Sequence, residues 1–171
     1  MPSDTKNVKV GVANITFAGE DLGYTKGGVE VEVTTEKYTV TVDQFGNTPI
    51  NDYLIGRSIM VTTPLAETTV DKLVATMPGT TKVGTSPSPT RADVTTGIGI
   101  NLIDIADELI VKPTAAADDS ENITIPKAAT SGNMTFSYQL DSERVFSVQW
   151  SGYPDPATGL LYTFGDPAAT A

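Results

Sequence analysis

The chain has 171 residues, 21 acidic and 11 basic side chains, a formal net charge of −10, and neither Cys nor His. These counts exclude disulfides, thiol nucleophiles and zinc–thiolate sites, and they remove the side chain most used as a general base. The acid excess opposes static binding to nucleic-acid phosphates, though not a surface along which DNA slides without sticking.

At about 150 residues per domain, the length fits a single domain. No apolar run approaches the ~18 residues of a membrane-spanning helix, and MPSDTKNVKV lacks the apolar core of a secretory signal. Neither a span, a leader nor direct membrane binding is expected. The 26 Thr, 16 Val and 11 Ile favour pleated, half-buried surfaces, so the composition reads as mainly β.

Residues 7–17 (NVKVGVANITF) alternate as a first strand, with a hint of a face swap from Val8, Val10 and Val12 to Ala13, Ile15 and Phe17. A loop from Gly19 to Gly28 precedes the clearest period-two run, residues 29–43 (VEVEVTTEKYTVTVD). Val29, Val31 and Val33 share one face of it, and Glu30, Glu32 and Glu36 the other. Beyond Glu36 the apolar parity changes, with Tyr38, Val40 and Val42 on the former glutamate face. A strand cannot exchange its faces. Either a turn or bulge lies near residues 35–37, or the ribbon meets two environments, as when half of a hairpin packs on another subunit.

Residues 44–53 are a turn-rich connection and 54–63 a strand. A helix is expected over about 68–77. Thr68 or Thr69 caps it, Asp71 lies in its first turn, and Pro78-Gly79 stops it. Its stripe Val70, Leu73, Val74 and Met77 is expected to pack on the β core. The polar stretch 80–96, with Pro87 and Pro89, reads as a long functional loop. Further strands are expected at 97–103, 108–112, 122–127, 133–140, 143–151 and 159–164, with turns at 118–122 and 155–159.

Motifs for chemistry are scarce. GIGI at 97–100 lacks the third glycine and the βαβ setting of a dinucleotide site. Ser131 beside Gly132 has no base to activate it. Glu30 and Glu32 would stand roughly 7 Å apart on a strand, near glycosidase spacing, but nothing around them resembles a sugar cleft. They read as a solvated face or the wall of a wet channel. Asp118, Asp119 and Glu121 lack the calcium-loop pattern and read as a solvated turn. The three Asn-x-Thr triplets, at Asn14, Asn122 and Asn133, read as chance in a Thr-rich chain. The reading is a non-enzyme without catalytic residues, cofactor or metal.

One ordered set of motifs resembles a family. It runs Gly27-Gly28-Val29-Glu30, VDQFGNTPI at 42–50, GRSIMVTTPLAETT at 56–69, and MPG at 77–79. It continues with ERV at 143–145, VFSVQW at 145–150, GYPD at 152–155 and LLYTFGD at 160–166. Together these resemble the major tail tube proteins of long, non-contractile-tailed bacteriophages, over about residues 7–166. That family is similar in fold to the tube protein of type VI secretion.

The resemblance implies a β-sandwich or partial barrel with one flanking helix, in a single domain over 1–171. An N-terminal arm (about 1–6) and a C-terminal tail (about 167–171) would be flexible or inter-subunit. Six subunits would form a ring whose inner strands join into one barrel. Stacked rings would conduct the genome, with tape measure and tail completion proteins as partners. The protein would belong to the virion tail, assembled in the host cytoplasm, with DNA passing through and not specifically bound. Glu30, Glu32 and Glu36 become the lumen-facing candidates. Gln44, Phe45, Asn47, Asn51, Ser86, Pro87 and Arg91 become the inter-ring candidates. The rival reading is a surface-exposed β-sandwich that binds a receptor or carbohydrate.

Overall fold

The computed structural model describes residues 8–9, 11–141 and 143–169. The arm at 1–6 and the last two residues of the tail lie outside that set. In chain order the elements are β1 (Ala13–Phe17), β2 (Glu20–Asp21), β3 (Glu30–Val40), β4 (Asn51–Leu65) and α1 (Val70–Thr76). There follow β5 (Thr80–Val83), β6 (Arg91–Val94), β7 (Asp107–Pro113), β8 (Ile123–Ser137), β9 (Val145–Gly152) and β10 (Thr163–Phe164). The fold is mainly β, as the Thr, Val and Ile content leads one to expect.

Eight strands form one sheet in the order β2-β1-β7-β8-β9-β4-β3, with β10 added to β8; β5 and β6 form a separate pair. All pairings are antiparallel. The sheet curls over itself because β8 serves both halves. Its start pairs with β7 and its end with β9, with a register break between Thr130 and Met134 that bends it. The curl brings Phe17 of β1 to 4.4 Å from Trp150 of β9, centroid to centroid, although β7 and β8 separate those strands in the sheet.

The core fills that fold. Ile15, Leu109, Val111 and Ile125 come from one half, and Ile59, Val61, Leu65, Phe146, Val148 and Trp150 from the other. Period-two alternation explains the selection: Phe146, Val148 and Trp150 are buried while Gln149 and Ser151 are exposed. Each such side chain contributes about 1.5–3 kcal/mol on burial. The edge strands β2 and β3 are consecutive in the chain, and Leu22 is buried at the corner between them. They do not pair with each other, so the sheet remains open.

Helix α1 is capped by Thr69, whose hydroxyl accepts the Lys72 N–H at 3.4 Å. Val70, Leu73, Val74 and Met77 are each half-buried, and the fully buried helix side chain is Thr76, whose hydroxyl donates to the Lys72 carbonyl.

Several expected elements differ. The stretch 80–96 is a short hairpin, β5–β6, tied to α1 by a Lys82–Asp71 ion pair. Residues 97–103 form turns, because Gly97 and Gly99 take left-handed backbone (φ +65° and +85°) that breaks the Ile98, Ile100, Leu102 alternation. The strands expected at 122–127 and 133–140 are one strand, β8, divided by its bulge. β4 begins at Asn51, so the connection expected over 44–53 is shorter than the pattern implied. The first and last strands shrink to 13–17 and 163–164.

Candidate functional site

The feature that the core does not account for is the far half of the β3–β4 hairpin. Burial in β4 begins at Ile59, and before it only Gly56 is even half-buried. In β3 only Val31 and Val40 are half-buried. The ribbon therefore projects beyond the body as a two-stranded arm, with a 3-10 turn at Asp43–Phe45 near its tip. Tyr38, Phe45, Ile50, Tyr53, Leu54 and Ile55 are all at least half exposed along it. An isolated hairpin is marginal in water, and an apolar surface of this kind marks a contact. Along one side, the edge of β3 carries no strand partner among the described residues.

The register resolves the parity change. Glu36 lies opposite Gly56 and Lys37 opposite Leu54, so Ile55 is an extra residue in β4. The irregularity sits where the sequence placed it, but on the partner strand, and β3 keeps its alternation. Val31 and Val33 share the side of Val61 and Ile59, which faces the core near the body. Tyr38, opposite Tyr53, lies on the other side. On the core side of the arm, Asp52 accepts hydrogen bonds from Lys37 Nζ (2.7 Å) and Thr39 Oγ1 (2.6 Å). The Lys37 bond is the larger cause holding the Asp52 carboxyl below its ordinary range.

Glu30, Glu32 and Glu36 are exposed on the side away from the core. Opposite them stand Thr62, Met60 and Gly56. The same side continues through Gln149 and Ser147 of β9 to Thr135 of β8. The result is an acidic edge on a hydroxyl- and amide-rich sheet face. None of the three glutamates joins an ion pair among the described residues.

The other candidates separate. Gln44, Phe45 and Asn47 are exposed at the arm tip, and Asn51 opens β4 beside them. Ser86 and Pro87 lie in the exposed β5–β6 turn, on the α1 side of the molecule. Arg91 is held by Asp93 through Nε–Oδ1 (2.8 Å) and Nη2–Oδ2 (3.2 Å). In the acidic turn, Asp119 accepts from Lys112 Nζ at 2.6 Å and Glu121 pairs with Lys9, so cations already occupy it. No cluster with metal-ligand character occurs among the described residues. An apolar hollow of about 340 Å³ between α1, Phe17, Ile100 and Thr130 is lined by no acid or base.

Sequence reasoning missed two apolar groups. Leu54 and Ile55 were assigned to an ordinary strand, and the parity change was their only signal. Tyr138 and Leu140 continue the alternation of Met134 and Phe136 and so were expected inside a strand, but β8 ends at Ser137 and both are exposed in the β8–β9 connection. Comparison with protein-family models and with curated proteins yields no match.

Proposed function

We propose that this chain is a structural virion protein whose hexameric rings stack into a phage tail tube. The observation that carries the reading is the arm: a two-stranded projection that exposes Tyr38 and Tyr53 on one side and Leu54 on the other, with a β3 edge unpaired among the described residues, on a chain whose core ends at Ile59. In a ring, the β3 edge of each copy finds a strand on its neighbour and the open sheets join into one barrel. The face bearing Glu30, Glu32 and Glu36 then lines the bore up to Tyr38, where the arm passes onto the neighbouring copy, and the carboxylates repel DNA phosphates. By the same resemblance, tape measure and tail completion proteins are its partners, and the tail of the virion is its location. Negative-stain microscopy of concentrated protein tests the reading. Rings or tubes with a central channel are expected; isolated particles at every concentration refute it.

A further inference from the structure

The molecule has two poles. The 15-residue β4 runs from the arm to Leu65 and spans roughly 45–50 Å at about 3.3 Å per residue. At its far end Leu65 lies opposite Phe146, so the β8–β9 connection and the start of α1 gather there. Between them is a hollow of about 170 Å³, lined by Val70, Leu73, Phe136, Tyr138, Arg144 and Phe146. Phe146 is buried at 1% exposure, and Phe136, 6.1 Å from it, is 45% exposed. Arg144 lies 5.5 Å over the Tyr138 ring and has no carboxylate partner among the described residues.

The opposite pole complements this hollow. Within residues 41–50 the only charged side chain is Asp43, which has no cation partner among the described residues. Phe45, in the same 3-10 turn, is 66% exposed.

We infer that the arm tip of one copy seats in this hollow on a second copy, with Phe45 entering between Leu73 and Phe136 and Asp43 meeting Arg144. The inference rests on the tube reading and names the contact between successive rings. The partner must be another copy, because a chain's own tip lies a full β4 length from its own hollow. A contact between two different surfaces with no closing rotation propagates as an open stack. The two unpaired charges are of opposite sign, which fixes the register of the seat.

The absence of Cys makes crosslinking a clean test. Phe45→Cys and Leu73→Cys chains are purified separately, mixed, assembled and oxidised. A product of two 18.0 kDa chains is expected from this mixture. None is expected when Ile98→Cys, at an exposed turn, replaces Leu73→Cys. Asp43→Arg and Arg144→Asp should each raise the concentration needed for assembly by roughly tenfold, and combining them in one chain should restore it. Should Arg144→Asp fail to fold, Asp43→Arg and the crosslink decide. Tubes that form without the 45–73 crosslink overturn the seating and leave the tube reading standing. A crosslink without charge rescue overturns the Asp43–Arg144 pair. A wild-type chain that never assembles overturns the tube reading and this contact with it.

Discussion

Tyr38 and Tyr53 face each other across the arm and are 60% and 59% exposed. Replacing both by Ser separates what the arm does for the subunit from what it does for assembly. In the free chain the change alters one cross-strand register pair, worth at most about 1 kcal/mol. In an assembly the loss is larger. An aromatic side chain carries roughly 200 Å² of surface, so about 120 Å² of each ring remains for a neighbour to cover. At ~25 cal/mol per Å², full coverage is worth about 3 kcal/mol per ring and half coverage about 1.5. The double variant should therefore melt within a few degrees of wild type. Its assembly, followed by light scattering against concentration, should require about 10² to 10⁴ times more protein. Assembly at the wild-type concentration would refute the claim that these rings are covered by a neighbour. A large drop in melting temperature would show instead that the arm belongs to the subunit's own stability.

Four further outcomes are expected. Glu30→Lys with Glu32→Lys should leave the melting temperature nearly unchanged, since both side chains are exposed, yet slow genome ejection, most at low salt where screening is weakest; normal low-salt ejection would remove these residues from the bore. Leu73→Ala should cost about 1–2 kcal/mol in a denaturant titration, less than the 2–5 of a fully buried leucine, because the helix stripe is half-buried. Replacing residues 84–90 by Asn-Gly should preserve the subunit's melt and test by microscopy whether the β5–β6 turn takes part in tube growth; shorter or absent tubes are expected. Asp52, Asp93, Asp119 and Asp155 are all held below the ordinary Asp value of 3.8, chiefly by bonds from Lys37, Arg91, Lys112 and Thr158 respectively. The unfolded chain thus binds more protons in acid, so their stabilising effect is complete above that value and lost as the pH falls through the folded-state values. Asp119→Asn should flatten the acid limb of a stability-against-pH curve; an unchanged limb would contradict this.

What was legible in the sequence follows where one face of a strand is buried. Phe146, Val148 and Trp150 alternate with polar residues because β9 has one wet side, and the central strand reads directly. The cap and stop of α1 were equally local, resting on Thr69 and Pro78-Gly79. Alternation failed at Ile98–Leu102 because it reports side-chain spacing and is blind to the backbone signs at Gly97 and Gly99. The β5–β6 hairpin was hidden because its four-residue strands are too short and polar to show a period. The arm was legible only as a disturbance. The parity change left open a bulge near residues 35–37 or a ribbon in two environments; the bulge lies there, in β4, but where the body ends depends on the partners of β4, which no local pattern encodes.

The most direct test of the central claim is the mass of the particle in solution, measured by sedimentation velocity across a range of concentrations. The account expects a species of six times 18.0 kDa and larger multiples of it, growing at the expense of the monomer as concentration rises. A single 18.0 kDa species at every concentration, with Tyr38, Tyr53 and the β3 edge left open to water, would contradict it.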